Sequence, residues 1–151
     1  MKVSDILRVK GNTLYTVTPD EPLSDAVTTM ADKDIGSLVV MEHGDLVGML
    51  TFREVIVAIV KNGGQIGGSL VRKAMDDAPV TCTAETDLDE IRRIMLERHA
   101  RYMPVMDQRM LMGVISFYDV AKAVVDSQNF ENKMLKAYIR DWPAEGEGGA
   151  N

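Results

Sequence analysis

Residues 17–60 and 82–125 are the same segment written twice, at an offset of 65 and with no gap across 44 aligned positions. Eleven positions are identical, among them Leu23/Leu88, Met30/Met95, Val40/Val105, Gly48/Gly113, Phe52/Phe117 and Val55/Val120. Ordinary residue usage would produce about three matches by chance. Most other pairs are conservative, such as Asp20/Glu85, Lys33/Arg98, Leu50/Ile115, Thr51/Ser116 and Glu54/Asp119. A tandem duplication restricts the chain to two copies of one small fold. It also directs attention to the seam between the copies, where two similar half-sites would meet.

Each copy reads in the same order. Leu14–Thr18 and Val80–Thr83 are rich in valine and threonine and read as short strands. Turn residues follow, then a helix whose apolar face is Leu23, Ala26, Val27 and Met30 in the first copy and Leu88, Ile91 and Met95 in the second. Two hairpins come next, Leu38–Met41 with Leu46–Leu50 and Met103–Met106 with Leu111–Ile115, each closed by a short polar turn. Second helices are expected over Arg53–Lys61 and Tyr118–Ser127. The unit is β-α-β-β-α, an α/β (α+β) fold. Short segments at Val3–Leu7 and Val71–Met75 precede the copies at an offset of 68. The joint, Asn62-Gly63-Gly64-Gln65-Ile66-Gly67-Gly68-Ser69, has four glycines but no strand running into it, so it reads as a flexible linker rather than a phosphate loop. Past the second copy, Phe130, Met134, Tyr138 and Trp142 mark one more helix over Asn129–Trp142. The expected organisation is repeat one over 1–61, linker over 62–69, repeat two over 70–127, a C-terminal helix over 128–142 and a disordered tail over 143–151.

Composition narrows the function classes. A net charge of −6 argues against general affinity for nucleic acid or anionic membranes. No apolar run is long enough for a membrane span, and the start MKVSDILRV lacks the apolar core of a signal peptide. The single cysteine, Cys82, rules out an internal disulfide and reads as a small buried residue. A reducing cytoplasm is the expected compartment. His43 and His99 are isolated from cysteine or acid clusters, so no metal site is expected. No nucleophile–base pair is visible.

The candidate chemistry lies in Gly48-Met49-Leu50-Thr51-Phe52-Arg53-Glu54 and Gly113-Val114-Ile115-Ser116-Phe117-Tyr118-Asp119. In each, a hydroxyl residue ends a strand and an acid follows three positions on, at the start of a helix. One reading is a capping box, the hydroxyl satisfying a free helix N–H. The other is a nucleotide site, with phosphate at the helix N-terminus and ribose hydroxyls on the carboxylate. Spacing alone leaves both open.

The β-α-β-β-α repeat, the Met103-Pro104-Val105-Met106-Asp107 strand and the two glycine-to-acid endings resemble a tandem pair of CBS domains, often called a Bateman module. The resemblance covers about residues 1–127. It implies two repeats packed with pseudo-two-fold symmetry, plus the C-terminal helix. It also implies a regulatory, energy- or redox-sensing signal-transduction module that binds an adenine nucleotide between the repeats and has no catalysis of its own. AMP, ADP and ATP are the expected ligands, with NAD(H) or S-adenosylmethionine as further possibilities. A homodimer and an unidentified regulated protein are the expected partners.

Carried over residue by residue, the resemblance places the ribose on Asp119, with Ser116 beside phosphate or ribose. Arg101 would meet phosphate, with Tyr102 beside it. The base would sit against Leu14, Tyr15 and Thr16, with Lys10, Met103 and Ile115 nearby. A weaker second site would comprise Thr51, Glu54, Pro79, Val80 and Thr81. It departs from the pattern because Glu54 replaces an aspartate and Gly36 stands where Arg101 does in the other copy. The competing expectation is a ligand-free structural dimerisation module, in which both hydroxyl–acid pairs are caps and the stripe Phe130–Trp142 is the working surface. A catalytic role ranks last, since the chain shows no room for a catalytic domain beside the pair.

Overall fold

The structure is a computed structural model that describes residues 1–11 and 13–141, the last by its backbone alone. The elements are α1 (Val3–Lys10), β1 (Thr16–Val17), α2 (Leu23–Lys33), β2 (Ser37–Glu42), β3 (Asp45–Thr51), α3 (Phe52–Lys61), α4 (Val71–Ala74), α5 (Leu88–Arg98), β4 (Tyr102–Asp107), β5 (Met110–Ser116) and α6 (Phe117–Asp141). The first repeat holds a three-stranded sheet in the order β1-β2-β3, and the second holds the pair β4-β5.

The duplication is visible in the backbone itself. Val40 pairs with Gly48 and Val105 with Gly113, and a bulge follows each pair at the same place. The non-glycine residues with left-handed φ are Asp34 and His99, which end α2 and α5, and His43 and Gln108, which lie in the two hairpin turns. Each pair is again 65 apart. Such φ values are uncommon for residues with a Cβ, so their recurrence shows the same turn built twice.

The leading strands are shorter than expected. Only Thr16–Val17 of Leu14–Thr18 joins a sheet, parallel to Val39–Val40. In the second copy Val80–Thr83 reduces to one parallel bridge, Cys82 to Val105. The helices expected over Tyr118–Ser127 and Asn129–Trp142 are one continuous helix, α6, within the described residues. No glycine or proline lies between Phe117 and Asp141, and Ser127, Gln128 and Asn129 all accept helical dihedrals. Trp142 and the expected tail 143–151 lie outside the described residues.

The cores are exchanged. Leu23, Met30, Leu38, Val40 and Leu50 of the first repeat pack with Val71 of α4, which leads the second. Leu88, Ile91, Met95, Met103, Val105 and Ile115 pack with Val3 and Ile6 of α1, which leads the first. Backbone bonds fix both exchanges: Val3 N–H donates to Thr86 O at 3.0 Å, and Val71 N–H donates to Glu21 O at 2.9 Å. A helix of eight residues is marginal alone, and burial of its apolar side chains in a neighbouring core stabilises it. The joint 62–69 is wound into turns rather than strung out. Asn62 Nδ2 donates to Gln65 O at 2.9 Å, and Gly64 has φ 96°. The hairpin turns of the two repeats meet through Arg109, whose Nη2 lies 2.7 Å from both Asp45 carboxylate oxygens.

Candidate functional site

Two clefts open at the seam. Both motif hydroxyls cap their helices. Thr51 Oγ1 accepts Arg53 N–H at 3.2 Å, while Glu54 Oε1 accepts Thr51 N–H at 2.9 Å and the Thr51 hydroxyl at 2.6 Å. In the second copy Ser116 Oγ accepts Asp119 N–H at 3.0 Å, and Asp119 Oδ2 accepts Ser116 N–H at 2.8 Å. The cap reading therefore describes the local geometry. It leaves Glu54 Oε2 and Asp119 Oδ1 outside these bonds.

The first cleft, about 630 Å³, brings together Thr51, Glu54, Pro79 and Val80 with Arg101 and Tyr102. The second, about 780 Å³, brings together Lys10, Ser116, Arg101 and Tyr102 beside Gly36. Both volumes are those of small-molecule sites. Asp119 lines neither cleft, but it bonds two residues that line the second, Lys10 and Ser116. Lys10, the last residue of α1, crosses from the first repeat and puts its ammonium 2.7 Å from Asp119 Oδ2 and 2.8 Å from Val114 O. The Asp119 side chain is 18 % exposed. Partial burial pushes its carboxyl up, but the Lys10 ammonium and the Ser116 bonds outweigh burial and hold it below the usual carboxylate range.

Several expected contacts lie elsewhere. Met103 and Ile115 are fully buried in the second core and face no cleft. Their strand alternation points them inward, because Tyr102 and Ser116 occupy the cleft end of the hairpin. Leu14, Tyr15, Thr16 and Thr81 line neither cleft. Thr16 is committed to pairing with Val39, and the Tyr15 ring lies 5.8 Å from Lys33 Nζ.

The expected lack of counter-charge at the first-repeat acid does not hold. Arg101 faces the first cleft as well as the second, and Arg53, Arg98 and His99 join it there. The sequence comparison set Arg101 against Gly36 within aligned copies, whereas the fold lays the second copy's wall beside the first copy's acid. Gly36 itself answers to packing: a Cβ there would overlap the Tyr102 hydroxyl. Arg98 carried one readable signal, its alignment with Lys33 as a conserved cation at the helix end. Among the described residues no group of three or more His, Cys, Asp or Glu side chains is placed to hold a metal ion, and no helix is long and apolar enough to cross a membrane.

This arrangement of two exchanged β-α-β-β-α units around a shared seam defines a CBS pair, and the comparisons agree. A CBS domain family model matches residues 3–61 and 71–126, and the chain belongs to that family. The chain is 29% identical over 147 residues to the mitochondrial CBS domain-containing protein CBSX3 of Arabidopsis thaliana, covering 91% of this chain and 71% of that protein. The crystal structure of the CBS-domain protein ATU1752 from Agrobacterium tumefaciens superposes with a TM-score of 0.78 at 32% identity, covering 82% of this chain and 98% of that one. The crystal structure of CBSX2 in complex with AMP shares the fold with a TM-score of 0.70 at 24% identity, over 84% and 98% of the two chains.

Proposed function

We propose that this chain is a regulatory module that holds an adenine nucleotide in the clefts between its repeats and performs no catalysis of its own. One observation carries the reading. The first cleft sets a helix N-terminus and its hydroxyl–acid pair beside Arg101, and the second sets a helix N-terminus and the Ser116 hydroxyl beside it; Arg101 is a cation with no hydrogen-bond or ion-pair partner among the described residues. Helix N-termini and guanidinium groups bind phosphate, and the carboxylates accept ribose hydroxyls. That CBSX2 was solved with AMP supports the choice of AMP, ADP or ATP. NAD(H) and S-adenosylmethionine offer the same adenosine group. Ligand in the seam would bias the angle between repeats, an energy or redox signal that a partner protein reads in the cytoplasm. Such a bias requires different affinity in the two states.

A second reading, a ligand-free dimerisation module, is favoured by the occupied caps and by exposed apolar side chains along α6, Phe130, Met134 and Leu135. We take homodimerisation as compatible with sensing. Calorimetric titration with AMP, ATP, NAD(H) and S-adenosylmethionine separates the readings. Saturable binding that Glu54→Ala or Asp119→Ala weakens supports the sensor. No binding of any of the four at millimolar concentration, with a dimer in sedimentation, supports the scaffold.

A further inference from the structure

The two clefts have a common wall. His99, Ala100, Arg101 and Tyr102, the run from the end of α5 into β4, line both. The backbone of this wall is tied down: Ala100 N–H donates to Met95 O at 3.0 Å, and Phe117 N–H donates to Arg101 O at 2.8 Å. Tyr102 abuts Gly36 across the seam. The Arg101 side chain is exposed and unpaired among the described residues, so it is the part of the wall that can turn to either side.

The two sides differ in charge. Besides the shared residues, the first cleft sets Arg53 and Arg98 against the carboxylates of Glu54 and Asp76. The second has only Lys10, already bound to Asp119 and to the Val114 carbonyl. Resting on the adenine-nucleotide reading above, we infer that Arg101 is a phosphate contact shared by both clefts, and that anionic nucleotides therefore compete across the wall while neutral nucleosides do not. A guanidinium fork grips one phosphate bidentately and cannot grip a second on the far side. A phosphate in one cleft withdraws Arg101 from an anion in the other. The coupling is reciprocal, whichever cleft fills first. The module then responds to nucleotide in two separated concentration steps.

The test uses the isotopically labelled full chain, titrated with AMP and with adenosine. Thr51 and Glu54 amides report the first cleft, Ser116 and Asp119 amides the second. Ala78→Trp closes the first cleft and Ala121→Trp the second, since each residue is an exposed alanine lining one cleft alone. Closing the earlier-filling cleft should tighten AMP in the other by about fivefold or more. The same closure should leave adenosine affinity unchanged, and Arg101→Ala should abolish the AMP effect. Equal AMP affinity with the neighbour open or closed overturns the inference. So does tightening that adenosine shares, tightening that survives Arg101→Ala, or binding of both ligands to one cleft only. In each of these cases the nucleotide reading stands. If neither ligand saturates either cleft, the nucleotide reading falls and the inference with it.

Discussion

Gly48 and Gly113 occupy the same position of the two repeats, yet the same substitution at each should have different costs. A Cβ on Gly48 would lie 2.7 Å from the Asp76 carbonyl oxygen and 2.7 Å from Met75 Sδ. That carbonyl belongs to the bridge in which Met49 N–H donates to Asp76 O at 2.9 Å and Asp76 N–H to Met49 O at 2.8 Å. Backbone held by two hydrogen bonds cannot yield without weakening them. Overpacking costs about 1–3 kcal/mol and each weakened bond about 0.5–1.5 kcal/mol, offset by about 0.4–1 kcal/mol from the stiffer unfolded chain. Gly48→Ala should therefore destabilise by about 2–4 kcal/mol. A Cβ on Gly113 meets only the tip of Leu7, 2.9 Å from Cδ2, with the next atom at 3.9 Å. A rotamer change relieves that contact, so Gly113→Ala should stay within about 1 kcal/mol of the parent. The difference, about 2 kcal/mol, corresponds to roughly 4–8 °C in Tm for a chain of this size. Urea and thermal unfolding followed by far-ultraviolet circular dichroism measure it. Met75→Ala should not restore Gly48→Ala, because the carbonyl remains. Equal costs at the two glycines, or a larger cost at Gly113, would refute the reasoning.

The remaining predictions test the exchange, the ion pair and the thiol. Ile6→Ala should cost about 2–5 kcal/mol, although its helix precedes the other repeat, because Ile6 sits in the second core at 7% exposure; a loss under about 1 kcal/mol in urea unfolding contradicts the exchange. Lys10→Met removes the strongest influence holding the Asp119 carboxyl down, so a carbon-13 titration should show its pKa rise. In the parent, the stability that Asp119 contributes is whole above the unfolded value near ~3.9 and is lost as pH falls through the lowered folded value; in Lys10→Met that acid dependence should shrink. An Asp119 titration identical in parent and variant rules this out. Burial pushes the Cys82 thiol up to about 12, so at pH 8 only about one molecule in 10⁴ carries thiolate. Iodoacetamide should label Cys82 only on unfolding, and rapid labelling of the native chain would show an open thiol.

Much of the fold is readable from the pattern of residues. Apolar spacing marks α2 and α5 and the inward faces of the hairpins, and Thr51/Glu54 and Ser116/Asp119 mark helix starts, because these signals act within one turn or one strand pair. The failures share a cause. Leu14–Thr18 and Val80–Thr83 have strand propensity, but the length that pairs depends on how much of β2 and β4 is available beside them. Two helices are expected over Tyr118–Ser127 and Asn129–Trp142, but nothing between them forbids a helix and α6 runs through. Met103 and Ile115 belong to motifs that touch a cleft, yet strand alternation turns them into the core.

What the sequence determined by itself was the repeat: two copies of one β-α-β-β-α unit, their hairpins and the two hydroxyl–acid pairs at the helix starts. These follow from local periodicity and from residues at fixed short offsets. Tertiary structure alone decided which pieces of the copies meet. It placed α1 in the second core and α4 in the first, brought Lys10 onto Asp119 over a sequence separation of 109, and laid Arg101 beside Glu54 as well as Ser116. The physical reason is that the apolar face of each unit is completed by the short helix that leads its twin. An alignment of copies compares each residue with its counterpart, whereas packing sets it against a different residue across the seam.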